Sequence, residues 1–309
     1  MSGLLEGFRQ WLTEEGRAPK TIESYIGDIK GFQQYLREKS SDESQPLSRF
    51  SFVRYKQLLL DKDFAVTTIN KKVNSLKVYN DFLQKKGIVD ENYIQLKKDQ
   101  VKIASGSEHM VTALSGEEVE RLLFYLEEQT KVSCRNKLIA YILLYTGIRV
   151  TELVNIKLAD IDALTSSLTV RGKGGKVREI SLRRQDVLQL IKQYQQGERV
   201  QSRYRESEYL LVSQRSEKMH RDAVRDWLAK VSKDVGFKLH PHLFRHTFAT
   251  RLLRKGVDLT TVSKLTGHST VNMTAKFYIQ TTREEKQDAV EKLYKKFMEG
   301  CRMVRKWNP

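Results

Sequence analysis

The sequence predicts a mainly α-helical protein with a small β-sheet in its C-terminal half, organised as two domains. The first observation is length, because 309 residues exceed the roughly 250–300 over which a single hydrophobic core grows. The second is the scarcity of proline, with 4 in the whole chain, which favours long helices. The third is the spacing of apolar residues, which is helical outside one glycine-rich stretch.

The first hundred residues are predicted to form amphipathic helices. Apolar residues recur at helical spacing over Pro19–Lys39, and a proline at the start is typical of a first helical turn. Two more helical stretches are predicted around Phe50–Lys62 and Thr67–Lys86.

A weakly patterned segment separates the two halves. It contains Ala104-Ser105-Gly106-Ser107, whose composition is typical of a loop. After it, Ser115-Gly116-Glu117-Glu118 has the pattern of a capping box and predicts the start of a helix. We therefore expect a helical domain over 1–99, a linker over 100–111 and a second domain over 112–309.

The second domain contains the strands. Leu168–Arg171 and Lys176–Ser181 flank the run Gly172-Lys173-Gly174-Gly175, and this arrangement predicts a β-hairpin whose glycines supply positive φ angles. A further strand is predicted near Asp160–Ala163, and the helical pattern returns after residue 184.

The charge is strongly positive and uneven. The chain carries 55 basic and 38 acidic residues, a net charge of +17. Residues 1–110 hold 18 basic and 15 acidic side chains, a net of +3, so residues 111–309 hold the remaining 37 and 23, a net of +14. Such a surface indicates a polyanionic partner, usually nucleic acid, although a charge that serves solubility remains the alternative.

Several classes of protein are excluded by composition. Two cysteines, Cys134 and Cys301, are too few for a disulfide scaffold or a cysteine-based zinc site. The longest nearly apolar run, Leu138–Tyr145, is too short to cross a bilayer, and the N-terminus has no secretory pattern. We therefore expect a soluble, cytoplasmic protein. The sequence contains neither a Walker-type glycine loop nor an acidic cluster, so it predicts neither a nucleotide site nor a metal site.

Four short segments of the second domain carry candidate chemistry. In chain order they are Thr146–Leu153 with its Arg149, the hairpin lysine Lys173, His240–Thr247, and Leu265–Ser269 followed by Phe277-Tyr278. Each alone has an ordinary structural explanation. An arginine can form a buried ion pair, a turn lysine can be solvated, and a histidine such as His242 or His246 can belong to a core.

Together, and in this order, the segments resemble the tyrosine recombinases, the phage-integrase-like family that includes the Xer proteins and Cre. The resemblance covers essentially the whole chain. It implies that 1–99 is a SAM-like, core-binding DNA-binding domain and that 112–309 is a catalytic domain of helices and a small sheet. It also implies a site-specific DNA recombinase that works through a 3′-phosphotyrosyl intermediate and a Holliday junction.

The family's catalytic pattern is an arginine, a lysine, His-x-x-Arg, a histidine or tryptophan, and a tyrosine. By resemblance, it maps here to Arg149, Lys173, His242, Arg245, His268 and the nucleophile Tyr278. Xer-type members usually place the tyrosine nine residues after the second histidine. In this chain that position is Phe277, and Tyr278 follows one residue later.

The chemistry explains these residue types. Arg149 and Arg245 can hold both non-bridging oxygens of a phosphodiester through fixed donor forks, with His268 as a third donor. The resemblance suggests His242 as the proton acceptor for Tyr278, and Lys173 is the candidate acid for the leaving 5′ oxygen. Glu152, three residues after Arg149, is either a partner of the site or an ordinary carboxylate in a first helical turn.

Basic residues outside the catalytic set are candidates for DNA contacts, with a solvated basic face as the alternative for those on the helix. They are Lys71, Lys72, Lys77, Lys176 and Arg178.

The resemblance also implies the partners. We expect double-stranded DNA with a short core of two half-sites and a homotetramer that holds two such sites, with no metal and no cofactor. An apolar stripe within a C-terminal tail at about 283–309 is expected to dock on a neighbouring protomer, or else to pack on its own domain. Resolution of chromosome or plasmid dimers or of transposon cointegrates is the expected role, with integration of a mobile element as the less favoured alternative.

Two other functions remain open. One is a topoisomerase IB-like enzyme of the same chemistry. The other is a non-enzymatic helix-turn-helix regulator, suggested by the turn Gly256-Val257-Asp258-Leu259, in which Asp258 is a candidate N-cap.

Overall fold

A computed structural model describes residues 2–39, 46–102, 113–128, 132–172, 175–182 and 185–267, and positions 270, 271, 274 and 275. The chain divides into two compact units, Met1–His109 and Met110–Pro309. The division falls inside the segment 100–111 that the sequence predicts as a linker, whereas the domain bounds themselves stay a prediction.

The regular structure of the first unit, over its described residues, consists of helices. Its helices are α1 (Ser2–Glu14), α2 (Pro19–Lys39), α3 (Arg49–Asp61), α4 (Val66–Lys85) and the short α5 (Leu96–Asp99). The helix predicted over Pro19–Lys39 has these same bounds, and α3 and α4 each begin one residue before their predicted starts.

Aromatic and aliphatic side chains of α1–α4 form the core of this unit, with Phe8, Phe32, Phe52 and Tyr79 wholly buried. Burial of this kind stabilises a fold by about 25 cal/mol per Å² of apolar surface. Asp99 joins the segment after α4 to α3. Its buried carboxylate accepts hydrogen bonds from Arg49 Nη1 of α3 at 2.7 Å and from the Gln95 amide at 2.7 Å.

The second unit combines helices with one small sheet. Its described helices are α6 (Gly116–Glu127), α7 (Cys134–Thr146), α8 (Val150–Leu153), α9 (Gln185–Gln196), α10 (Arg221–Val235), α11 (Pro241–Arg254) and α12 (Leu259–Thr266). The predicted capping box starts α6: the Ser115 amide donates to Glu118 Oε2 at 2.8 Å, and the Glu118 amide donates to Ser115 Oγ at 3.1 Å. Asp258 caps α12, as predicted, by accepting from the Thr261 amide at 2.9 Å.

The sheet has three antiparallel strands in sequence order, which confirms the predicted hairpin and the strand before it. They are β1 (Ile161–Asp162), β2 (Ser167–Arg171) and β3 (Val177–Ser181). Leu168 pairs with Ile180 and Val170 with Arg178, so these four side chains share one face of the sheet. The three apolar members of that face are buried, which places the face against the core of the unit.

Helix α7 lies at the centre of this core. Its residues from Leu138 to Leu144 are all buried, because α7 packs on both α9 and α11. The helical pattern predicted after residue 184 begins with α9, and residues 197–220 beyond it form turns and bends. The buried Arg199 holds them by donating to the carbonyl oxygens of Arg205, Ser207 and Tyr209.

The predicted fold class is therefore confirmed: the protein is mainly helical, with a small sheet in the second unit. In the part of the chain that the structure describes, every helix is too short or too polar to span a bilayer.

Candidate active site

The candidate site lies where α7 ends. Gly147 terminates α7 in the left-handed region, at φ +60°. A Cβ on this residue would stand 2.4 Å from Phe248 Cδ1 of α11, so only glycine allows α7 and α11 to approach so closely. The chain then turns, and Arg149 becomes the N-cap residue of α8. The backbone at Arg149 is extended, with φ −74° and ψ 148°.

Arg149 is held at two points and remains partly open to solvent. Its Nη1 donates to Glu152 Oε1 at 2.9 Å, and its Nη2 donates to the carbonyl oxygen of Gly267 at 2.7 Å. The side chain is 31% exposed. The guanidinium is thus fixed in orientation while its other N–H groups stay available to a ligand.

Glu152 is the carboxylate at the centre of a charged cluster, the arginine cluster, whose other members are Arg149, Arg178 and Arg245. Its side chain is 4% exposed, and it accepts hydrogen bonds from the amide and side chain of Arg149 and from both Nη atoms of Arg178. Burial opposes its ionisation, but the hydrogen bonds from Arg178 and Arg149 outweigh it and lower the pKa of Glu152. Both functions suggested by the sequence are therefore present, since Glu152 closes the first turn of α8 and also pairs with Arg149.

Arg178 occupies a different place from the one the sequence predicts. Its side chain lies on the inner face of β3, is 15% exposed, and donates from Nη1 and Nη2 to Glu152 at 3.1 and 2.8 Å. Its Nε donates to the carbonyl oxygen of Leu265 at 3.0 Å. The prediction of a DNA contact at Arg178 is not supported by this placement, because the guanidinium faces the interior of the protein.

Arg245 supplies a second guanidinium beside the first. It lies on α11, is 5% exposed, and donates from Nη1 to the carbonyl oxygen of Gly147 at 2.8 Å. Its buried Nη2 has no hydrogen-bond partner among the described residues. Burial and the nearby charge of Arg149 lower the pKa of Arg245 to about 9, so it stays charged at pH 7 in a site that an anion would stabilise.

His242 stands one turn before Arg245 on α11. His240 caps this helix by accepting from the Leu243 amide, and Pro241 occupies its first position. Desolvation and the positive charges of Arg245, Arg225 and Arg149 lower the pKa of His242. The imidazole is therefore neutral at pH 7, and a neutral imidazole can accept a proton.

Two family models match the chain. The model described as "Phage integrase family" matches residues 112–285, more than half of the protein, and "Phage integrase, N-terminal SAM-like domain" matches residues 5–87. The chain belongs to the phage integrase family of tyrosine recombinases. The resemblance inferred from the four motif segments is thereby confirmed.

Curated relatives match over nearly the full length. The recombinase is 31% identical over 302 residues to tyrosine recombinase XerC of Pediococcus pentosaceus, covering 94% of this chain and 97% of that protein. It is 32% identical over 295 residues to tyrosine recombinase XerA of Pyrococcus furiosus, covering 94% of each. TnP I resolvase of Bacillus thuringiensis is 30% identical over 269 residues, covering 86% of this chain and 92% of that protein.

Solved structures share the fold. XerH site-specific recombinase in a post-cleavage complex with a palindromic difH substrate has a TM-score of 0.73 at 21% identity, with 88% of this chain and 80% of that chain covered. A lambda integrase dimer bound to a COC′ core site has a TM-score of 0.70 at 17% identity, with 90% and 76% covered.

Three predicted catalytic residues of the recombinase, Lys173, His268 and Tyr278, lie outside the described residues, as does the tail at 283–309. Two of them directly follow residues that border the arginine cluster. A Cβ on Gly172 would lie 3.6 Å from Glu152 Oε1, and Gly267 accepts the hydrogen bond from Arg149. Gly172 and Gly267 therefore both lie at the edge of this cluster.

The predicted DNA-contacting lysines are placed differently from one another. Lys71 and Lys72 each lie 3.2 Å from the buried carboxylate of Asp28, and Lys77 lies 2.6 Å from Asp81. Lys176 is exposed on the hairpin. A contact between DNA and the α4 lysines would have to compete with these acidic partners, and all four contacts stay predictions.

Sequence reasoning missed the role of Arg178 in the cluster. The available signal was its position two residues before the apolar Ile180, because alternate residues of a strand share a face. Arg225, whose charge acts on His242, was also missed, and helical spacing alone gave no sign of it.

Proposed function

We propose that this recombinase cleaves and rejoins DNA at a short core of two half-sites, with Arg149 and Arg245 holding the phosphate under attack. The observation that supports this most is the pair of guanidinium groups at the end of α7. One is partly exposed and anchored at two points, and the other is buried with an Nη2 that has no hydrogen-bond partner among the residues that the structure describes. Such fixed donors match the two non-bridging oxygens of a phosphodiester.

The chemical step is an exchange of phosphoester bonds. The Tyr278 oxygen attacks phosphorus, its proton passes to a base, and a 3′-phosphotyrosyl bond forms while the bond to the 5′ oxygen breaks. The 5′ oxygen leaves with a proton and becomes a free hydroxyl. A 5′ hydroxyl from the other DNA duplex can then attack the phosphotyrosine and reverse the chemistry, which would produce a Holliday junction after one pair of exchanges.

Each proton transfer is assigned to a side chain. His242 accepts the proton of Tyr278, a role that its lowered pKa supports because the ring is neutral at pH 7. Lys173 donates to the leaving 5′ oxygen, and His268 is a third donor to the phosphate. Because side chains account for every step, the proposal calls for no metal and no cofactor.

Double-stranded DNA is the proposed partner. The net charge of +14 over residues 111–309 supports this, and relatives of the same fold have been solved as complexes with their DNA sites. We propose a homotetramer on two sites, with the tail at about 283–309 docked on a neighbouring protomer. The cytoplasmic location inferred from the sequence stays a prediction.

The proposed biological role is resolution of DNA dimers or of transposon cointegrates. Its support is the set of relatives, which includes proteins named XerC and XerA and one named a resolvase. A substrate with two directly repeated sites on one circle tests the role, because a resolvase yields two circles. A topoisomerase-like enzyme would relax the same circle and leave it whole.

The nucleophile is tested on a nicked suicide substrate, which traps covalent adducts. We expect Tyr278→Phe to bind DNA as the wild type does and to form no adduct, because the phenolic oxygen is the atom that attacks phosphorus. Tyr294 is the next tyrosine along the chain and provides the matched control. Tyr294→Phe should form the adduct normally. A 3′-phosphotyrosyl product from Tyr278→Phe would show that another residue is the nucleophile.

A further inference from the structure

We propose that Arg178 is a positioning residue that neutralises Glu152, so that the positive charges of Arg149 and Arg245 remain available to the phosphate. This inference rests on the proposed function. It assigns a part in the reaction to a side chain that does not itself touch DNA.

The strand places Arg178 where it can do this. Arg178 pairs with Val170 across the hairpin and lies on the same face of β3 as the buried Ile180. All three of its nitrogens donate within the protein, two to Glu152 and Nε to Leu265. The side chain is 15% exposed, so its charge acts on the site through Glu152 rather than by direct contact with a ligand.

The contact between Arg178 and Glu152 changes the net charge that faces the phosphate. Glu152 is buried between Arg149 and Arg178 and is held ionised by both. If Arg149 were its only partner, the two would form a neutral pair and Arg245 alone would face the phosphate. With Arg178 present, three arginines and one carboxylate leave two net positive charges. Negative charge builds on the non-bridging oxygens as the nucleophile attacks, so the second net charge stabilises the transition state more than the bound substrate.

Gly267 shows how closely the cluster is assembled. A Cβ on this residue would stand 2.8 Å from Arg178 Nη1, and its φ of +64° also favours glycine. Its carbonyl oxygen accepts from Arg149 at 2.7 Å. Arg178 and Arg149 therefore contact the same short backbone segment as well as the same carboxylate, which fixes their separation.

The test measures single-turnover adduct formation on the nicked substrate at saturating protein, together with DNA affinity. We expect Arg178→Ala to slow adduct formation by about 10- to 100-fold with DNA affinity unchanged, the effect of one charge several ångströms away at an effective dielectric constant of about 20. Arg178→Lys keeps the charge and should retain a rate within about fivefold of the wild type. The double variant Glu152→Gln/Arg178→Ala restores two net charges and should recover at least about tenfold over Arg178→Ala.

Arg171→Ala is the matched control. Arg171 ends β2 on the same hairpin and also pairs with a buried carboxylate, Asp160, at 3.0 Å, but it does not contact Glu152 in the described structure. Its adduct rate should stay near that of the wild type, even if its melting temperature falls. If Arg178→Ala does not fold, Arg178→Lys still decides the question by comparison with the wild type, because a rate more than about fivefold below the wild type would contradict the proposal.

Three results would overturn the proposal: a wild-type rate for Arg178→Ala, a double variant as slow as Arg178→Ala, or a lysine variant as slow as the alanine one. Loss of DNA affinity in Arg178→Ala would also overturn it, because it would indicate a direct DNA contact. Failure of the proposed function would give a different result. In that case the wild type would form no adduct, or Arg149→Ala would form it at the wild-type rate.

Discussion

Arg149 and Arg245 illustrate why this site uses arginine rather than lysine. Arg149 donates two hydrogen bonds within the protein, to Glu152 and to the carbonyl oxygen of Gly267. Arg245 donates one, to the carbonyl oxygen of Gly147. A planar guanidinium anchored in this way still presents donors in a fixed direction, whereas an ammonium group carries its three donors on one atom at the end of a flexible stem. Rigidity at the residue scale therefore comes from the side chain's own geometry.

The proposed role of Lys173 as an acid can be tested by changing the leaving group of the DNA substrate. If Lys173 protonates the departing 5′ oxygen, Lys173→Ala should slow cleavage by about 10²–10⁴-fold, the usual contribution of a positioned acid. A substrate with sulfur in place of the bridging 5′ oxygen needs little protonation, because a thiol has a far lower pKa than an alcohol. Cleavage of that substrate by Lys173→Ala should return nearly to the wild-type rate.

Arg149→Ala is the comparison for Lys173. Its proposed task is to stabilise charge on the non-bridging oxygens, and sulfur at the bridging position does not change that charge. The sulfur substrate should therefore leave Arg149→Ala slow. Equal rescue of both variants, or rescue of neither, would mean that Lys173 binds or positions the phosphate and that another group is the acid.

Sequence reasoning predicted part of the site at the residue scale. It brought Arg149 and Arg245 together because their motif has a fixed order, and the structure places both at the end of α7. It did not find the contact between Arg178 and Glu152. A basic residue on a short strand is usually solvated, and the alternation with Ile180 indicates which face Arg178 occupies but not the buried carboxylate that it contacts.

At the scale of the elements, the contact between α7 and α11 brings Arg245 of α11 to the end of α7, where the chain turns towards Arg149. Gly147 lies at the closest approach, and we expect Gly147→Ala to lower stability by about 2–4 kcal/mol, from left-handed strain and overpacking together. Cleavage should be lost even where the variant folds, because the Gly147 carbonyl anchors Arg245. Thermal or urea unfolding and the adduct assay measure the two effects.

Gly236→Ala separates strain from crowding. Gly236 ends α10 at φ +83°, and an added Cβ there would meet nothing within 4 Å among the described residues. This control should lose only about 1–2 kcal/mol, from the left-handed backbone, and should keep full cleavage. Similar losses of stability and activity in both variants would contradict the close packing inferred at Gly147.

Elements with a local signal were predicted well, and those held by distant contacts were not. The helix over Pro19–Lys39 and the capping box at Ser115 depend on neighbours along the chain, and both were found. Residues 197–220 keep their turns because Arg199 donates to three carbonyl oxygens beyond it. A buried arginine of this kind gives no periodic signal, so the sequence did not reveal how these turns are held.

At the scale of the whole molecule, the distribution of charge sets how the protein meets its partner. The net charge is +3 over residues 1–110 and +14 over residues 111–309, from 18 and 37 basic against 15 and 23 acidic residues. Several lysines of the first unit already pair with acidic side chains, as Lys72 does with Asp28. We therefore infer that phosphate contacts contribute most of their affinity through the second unit.

The affinity for DNA should consequently depend steeply on salt. Each phosphate that a basic side chain neutralises releases condensed counterions, so log affinity should fall linearly with log salt, with a slope near −0.9 per contact. Fluorescence anisotropy on a labelled duplex at several salt concentrations measures this slope. Lys176→Ala, which removes an exposed charge, should make the slope shallower by about 0.9, whereas Arg178→Ala should leave it unchanged because that guanidinium faces Glu152. A slope near zero for the wild type would remove the electrostatic basis for DNA binding, and an equal change in both variants would place Arg178 on the DNA.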